Sequence, residues 1–170
     1  MKNLGFILKY KFFNAFREIF VHHYNSLDFR AKIFALMIAA NQNPKVENFI
    51  LVKEIADKIY KDDEDRANLL MLTTKEFVNR VLHSHTYTSD KLIDSIINNL
   101  KHVPRYAKKI DIEALSRFLD LSEDEDTFAY QKNILEFLQK LKAETLKQNI
   151  VETSSTEFGS KEKEANKLPT

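Results

Sequence analysis

An unbroken apolar run from Ile33 to Ala40 constrains this chain more than any other stretch of its sequence. The run reads Ile-Phe-Ala-Leu-Met-Ile-Ala-Ala, so a helix built from it would be apolar on every face. A surface helix keeps one polar face, whereas a helix that is apolar all round is buried on all sides. The run therefore predicts a central helix that ends near Ala40, with the other helices packed around it.

Glycine is nearly absent, which narrows the fold class. Only Gly5 and Gly159 occur in the 170 residues. Tight β-hairpins, phosphate-binding loops and dinucleotide-binding loops need glycine for positive φ or for close approach of the backbone. We therefore predict an all-α fold, a single-domain bundle of about six to seven helices around the central one.

Cysteine usage and net charge exclude further classes of protein. The chain has no cysteine, which removes disulfides, zinc–thiolate sites and thiol nucleophiles. Its formal net charge of +1 gives no overall field that would attract nucleic acid, so a nucleic-acid partner is disfavoured. No apolar stretch reaches the roughly 18 residues that a membrane-spanning helix needs.

Apolar periodicity and turn signals predict the remaining helices. The predicted spans are 46–60, 64–83, 89–103, a short helix near 112–119, and 125–148, the last of which should bury Phe128 and Leu138. Capping preferences predict a break in the chain at 25–28. They also predict N-caps for the later helices at Asp62 or Asp63, at Ser89, and at Ser122 paired with Glu125. From residue 151 to 170 the sequence is polar without an apolar period, and we predict a disordered tail.

The N-terminal segment, residues 1–25, is rich in aromatic and basic side chains. Apolar residues recur every four positions from Leu4 to Tyr24, which predicts a helix with one apolar stripe. This helix would either pack on the core or lie on a membrane surface or in a partner's groove. Its candidate contact residues are Phe6, Lys9, Tyr10, Lys11, Phe12, Phe13, Phe16, Arg17 and Phe20.

No arrangement of residues typical of catalysis occurs. The sequence lacks HExxH, Glu-x-x-His and nucleophile-elbow motifs, so we predict no enzymatic activity and no cofactor. Acidic turns could hold a hard divalent cation through oxygen ligands, although helix capping also explains them. The candidate metal ligands are Glu47, Asp62, Asp63 and Asp65.

A basic patch lies between two predicted helices. It comprises Lys101, Arg105, Tyr106, Lys108 and Lys109. Cations next to an aromatic ring can contact phosphate or an acidic partner, and the same composition also suits a solvated connector. Both interpretations are open from the sequence.

The run from Ala31 to Val78 resembles the tellurite-resistance TerB-like family. The matching features are the apolar helix that ends in Ala39-Ala40, the polar turn, an acid-bearing second helix with Glu47, and the acidic cap of a third helix. The segment 109–126 is similar to the family's second helical pair. Asn41-Gln42 stands where the family usually carries the Asp-Gly associated with metal binding.

This resemblance implies a TerB-like helical domain over 26–150 that acts by contact in a stress-response or envelope-associated assembly. Together with the missing catalytic motifs, it predicts a protein-binding module. We expect the cytoplasm as its location. The alternatives are a peripheral membrane protein, held by the N-terminal segment at the inner face of the membrane, and a divalent-cation-binding domain.

Overall fold

The computed structural model describes the backbone of residues 25–165 and the side chains of residues 26–151. The candidate contact residues of the N-terminal segment, from Phe6 to Phe20, lie outside the described residues, as do residues 166–170. Every regular element of the described backbone is a helix. The predicted all-α fold class is confirmed.

Helices follow one another with short connections. The order is α1 (Asn25–Ile38), α2 (Val46–Ile59), α3 (Glu64–His83), α4 (Ser89–His102), the 3-10 helix η1 (Pro104–Lys109), α5 (Ile112–Ser116), the 3-10 helix η2 (Leu119–Leu121) and α6 (Glu125–Ala165). Pro44 lies in the connection before α2, and Pro104 begins η1 directly after α4. Both prolines lie at helix boundaries, because a proline disfavours helix at the residue before it.

The apolar run forms the buried centre of the bundle, as predicted. Residues 33–39 of the run are all buried, and Met37 and Ile38 are completely inaccessible to solvent. Helix α1 contacts α3, α4, α6 and η1. Burial of each large apolar side chain contributes about 1.5–3 kcal/mol, and the run buries five of them, at positions 33, 34, 36, 37 and 38.

The outer helices bury one stripe each and keep a polar side. In α2, Val52 and Ala56 are buried and the helix packs on α3. In α4, Leu92, Ile96 and Leu100 form the buried stripe that the i, i+3, i+4 spacing predicted. Helix α6, the last helix of the chain, packs on η1, α5 and α1 and so covers part of the core.

The N-terminal part of α1 differs from the prediction. Residues 25–28 are helical rather than a break. Leu27 and Phe29 are fully buried in the common core, and Asp28 pairs with Lys32 at 2.7 Å, one helical turn away. Core burial and an i, i+4 ion pair therefore override the capping preference of Ser26 and Asp28.

Two predicted caps are shifted by one or two residues. Thr88 rather than Ser89 caps α4, because its hydroxyl accepts from the amide of Lys91. Asp124 rather than Ser122 caps α6, and its Oδ1 accepts from the amide of Thr127 at 2.7 Å. This hydrogen bond lowers the pKa of the Asp124 carboxyl. Asp63, one of the two residues predicted, caps α3 by accepting from the amide of Arg66.

Helix α6 departs from the prediction at both ends. Phe128 in its first turns is 45% exposed rather than buried, whereas Ile134 and Leu138 are in the core. The backbone remains helical to Ala165, although the apolar period that predicted this helix ends near Gln148 and the sequence suggests disorder from 151. Extending an existing helix needs no new nucleus, so this polar segment can continue α6 although it contains Ser, Thr and Gly159.

Candidate functional site

The predicted basic patch is built on η1, and η1 is anchored in the core. Tyr106 is buried, with its ring centroid 5.2 Å from that of Phe29 in α1. Ala107 and Ile110 are completely buried. For Tyr106, the interpretation as part of a solvated connector is therefore wrong. Tyr106 points inward and does not belong to the exposed part of the patch.

The cationic side chains of the patch lie at the surface, whereas the Tyr106 side chain lies in the core. Lys101 at the end of α4 is exposed, as are Arg105 and Lys108 in η1. Lys109 is half-buried, and its ammonium lies 5.9 Å from the centroid of the Tyr106 ring. A cation over an aromatic face is attracted by the ring quadrupole, which partly offsets the cost of burying the Lys109 charge.

Two further cations, which the sequence did not indicate, join this face. Arg30 Nη1 donates to the carbonyl oxygen of Lys109 at 3.4 Å, and Lys142 Nζ donates to that of Ile110 at 2.7 Å. These carbonyls lie at the end of η1, where helix carbonyls lack partners within the helix. We define the basic face as Arg30, Lys101, Arg105, Lys108, Lys109 and Lys142.

Electrostatic crowding is evident at Lys109. Burial lowers the pKa of its ammonium, and the neighbouring charges of Arg30 and Arg105 lower that pKa further. Charges that affect one another's protonation are close in space. The basic face is thus a concentrated positive region on a molecule whose net charge is only +1.

No ion pair between described side chains includes a cation of this region. The ion pairs between described side chains are Lys32–Asp28, Lys45–Glu123, Lys53–Asp57 and Arg117–Glu54. None of these pairs includes a cation of the basic face. The cations in these four pairs lie elsewhere on the described surface and are paired along or between helices.

The structure does not assemble the candidate metal ligands. Glu47 is in the first turn of α2, about 18 Å along that helix from its end, whereas Asp62, Asp63 and Asp65 follow the helix. Asp63 uses a carboxylate oxygen to cap α3, and Asp62 adopts a positive φ of 65° in the turn. Among the side chains of residues 26–151, no three His, Asp or Glu are grouped as a metal site.

A small void lies beside the basic face, between α1, α2 and α5. Arg30, Lys109 and Asp111 are among its lining residues, together with Ile33 and Leu115. Its volume of about 10 Å³ is comparable to the space that one water molecule requires. The void is therefore too small for an organic substrate.

None of the helices in the described part of the chain is long and apolar enough to cross a bilayer. Comparison of the chain with protein-family models, with curated proteins and with solved structures finds no match. The resemblance of residues 31–78 to the TerB-like family therefore stays a prediction.

Proposed function

We propose that this protein is a non-enzymatic helical module that binds an acidic segment of another protein through its basic face. The observation that carries the proposal is the group of cations around η1, none of which has a carboxylate partner among the described side chains. By resemblance to the TerB-like family, we further propose a role in a stress-response or envelope-associated assembly.

Clustered like charges favour an oppositely charged partner. Two unit charges 4 Å apart interact by about 4 kcal/mol near a protein surface, where the effective dielectric constant is about 20. An acidic partner would relieve the repulsion around Lys109 and gain its own attraction at the same time. Such complementarity raises association rates and specificity more than it raises affinity.

The rigid attachment of η1 also supports binding. Tyr106 and Ile110 fix the helix in the core, and Arg30 and Lys142 each donate to one of its terminal carbonyls. A prearranged surface loses little conformational entropy when it binds, so more of the interaction energy remains as affinity. The backbone that carries the cations of η1 therefore does not need to become ordered when a partner binds.

An acidic protein is favoured over nucleic acid as the partner. Single-stranded nucleic acid binding combines cations with exposed aromatic rings on which bases stack. The aromatic residue of the patch, Tyr106, is buried against Phe29 and offers no such ring. The exposed chemistry of the basic face is ammonium and guanidinium groups, which suit carboxylates.

A charge-reversal experiment tests the proposal. The probe is a fluorescein-labelled decapeptide of alternating Glu and Ser, titrated with the full chain and followed by anisotropy. Arg105→Glu/Lys108→Glu should weaken binding by about tenfold or more, because two attractive contacts become repulsive. Raising the salt from about 50 to 200 mM should weaken wild-type binding, since exposed charges are screened.

The matched control is Lys91→Glu/Lys132→Glu, which changes net charge equally at two exposed positions. Each lies ten residues, about 15 Å along its own helix, from the basic-face cation of that helix, Lys101 or Lys142. It should bind within about twofold of the wild type if a local face is responsible, because distant exposed charges are screened. Equal weakening in both variants would mean that only net charge matters. That result, or no binding by the wild type, would contradict the proposal.

A further inference from the structure

Helix α6 begins in an acidic region that lies far along this helix from the basic face. We define the acidic end as Asp120, Asp124, Glu125 and Asp126, all of which are exposed. Among the described side chains, none of these four takes part in an ion pair, whereas their neighbour Glu123 pairs with Lys45. The acidic end thus presents carboxylates to solvent without a neighbouring cation to pair with.

Two exposed aromatic rings accompany these carboxylates. Phe128 is 45% exposed and Tyr130 is 44% exposed, both near the start of α6. Phe128 follows Asp124 by four positions, and Tyr130 follows Asp126 by four, so each ring neighbours a carboxylate on the helix surface. A ring face attracts a guanidinium or ammonium group through its quadrupole, and a carboxylate attracts the same group through its charge. Together they form a surface that suits a cationic partner.

The acidic end and the basic face cannot neutralise each other within one molecule. Asp126 lies about 24 Å along α6 from Lys142, the cation that this helix contributes to the basic face. Lys101 and Pro104, the first residue of η1, line the same cleft as Leu141 of α6, so the cations of α4 and η1 are similarly remote. Exposed charges are screened beyond about 8 Å at physiological ionic strength. These two regions can therefore pair only between molecules.

We propose that the basic face binds the acidic end of a second copy of this chain, so that molecules associate head to tail. This inference rests on the proposed function, because it uses the same basic face and names a second copy as an acidic partner. The exposed Arg105 and Lys108 then meet the carboxylates of the acidic end and the rings beside them. Because the two surfaces differ, the contact is heterologous, and the last molecule of the assembly keeps a free basic face for another protein.

Sedimentation velocity of the full chain at increasing concentration tests the inference. At about 50 mM salt, the weight-average sedimentation coefficient should rise with concentration, because each added copy offers a new free surface. At about 1 M salt the rise should disappear, because the Debye length falls to about 3 Å. A wild type that stays monomeric up to about 1 mM at low salt would overturn the inference, as would a dimer whose formation is insensitive to salt.

Charge reversals on the two surfaces locate the contact. Arg105→Glu/Lys108→Glu and Glu125→Lys/Asp126→Lys should each abolish the rise, because like charges then face one another. The chain that carries all four substitutions has the net charge of the wild type, and its two surfaces are again opposite in sign. It should regain the rise, which would also show that the reversals leave the fold intact. No regain in this chain would overturn the inference.

Lys75→Glu/Lys91→Glu is the matched control, with the net charge of Arg105→Glu/Lys108→Glu but changes at two exposed positions outside both surfaces. It should self-associate like the wild type, and loss of self-association in this control would mean that only net charge matters. Self-association that persists in Arg105→Glu/Lys108→Glu would mean that other cations occupy the acidic end. Either result overturns the inference. A monomeric wild type that still binds the Glu and Ser peptide would reject this inference and leave the proposed function intact.

Discussion

Gln131 links three parts of the fold through one buried side chain. Its amide nitrogen donates to the Met37 carbonyl at 3.0 Å, and its amide oxygen accepts from the Ser122 hydroxyl at 2.6 Å. Met37 lies in the last turn of α1, where carbonyls have no partner further along the helix. A single residue of α6 thus provides a hydrogen-bond donor for a carbonyl at the end of the central helix. The same residue also holds the connection that leads into α6.

Replacement of Gln131 should reveal this role. Gln131→Leu keeps similar volume but leaves the Met37 carbonyl and the Ser122 hydroxyl without their partner. We expect the free energy of unfolding to fall by about 1–3 kcal/mol, the cost of an unsatisfied buried polar group. Urea denaturation measures it. Asn133→Leu, at an exposed position of the same helix, should change it by less than about 0.5 kcal/mol, and an equal effect in both variants would contradict the assignment.

At the scale of elements, the sequence predicts helices well where the apolar periodicity agrees with the capping residues and prolines at the helix ends. The bounds of α3 follow from Asp63 and its apolar stripe, and those of α4 follow from its stripe and Pro104. Caps are harder to predict because neighbouring residues such as Thr88 and Ser89 have equivalent hydroxyls. Only the orientation of the incoming chain decides which of them accepts the amide hydrogen bond.

The candidate site could be predicted only in part. Lys101, Arg105, Lys108 and Lys109 are close in sequence, and their charge pattern is visible there. Arg30 and Lys142 reach the same face from positions 79 and 32 residues away from their hydrogen-bond partners. No local pattern encodes such contacts, since they depend on how α1 and α6 pack against η1. The burial of Tyr106 depends likewise on the Phe29 ring.

The anchoring of η1 predicts a contrast between adjacent residues. Tyr106→Ala should lower the free energy of unfolding by about 3–5 kcal/mol, as for other large aromatic residues removed from a core. Arg105→Ala should change it by less than about 0.5 kcal/mol, because that side chain is exposed. Chemical denaturation of both variants measures the contrast. A small effect of Tyr106→Ala would restore the interpretation of Tyr106 as part of a solvated connector.

At the scale of the whole molecule, one core connects all the helices. The buried side chains of α1 to α6 form a single contiguous cluster, and α1 contacts elements that are distant in sequence. A domain of this size with one core is expected to unfold cooperatively, without a populated intermediate. The central helix should therefore control the stability of both ends of the described chain together.

Two tryptophan reporters and one core variant test this cooperativity. The chain has no tryptophan, so Tyr87→Trp can report on the connection before α4 and Tyr130→Trp on the start of α6. In urea, both fluorescence transitions and the far-UV circular dichroism should share one midpoint, because loss of α1 packing exposes both regions. Met37→Ala, made in the Tyr87→Trp chain and in the Tyr130→Trp chain, should lower the free energy of unfolding by about 2–5 kcal/mol and shift both midpoints equally.

Val46→Ala, at a position that is 63% exposed, is the control for Met37→Ala and should shift neither midpoint. Separate midpoints would mean that α6 unfolds as an independent unit, and the claim that α1 organises one core would then fail.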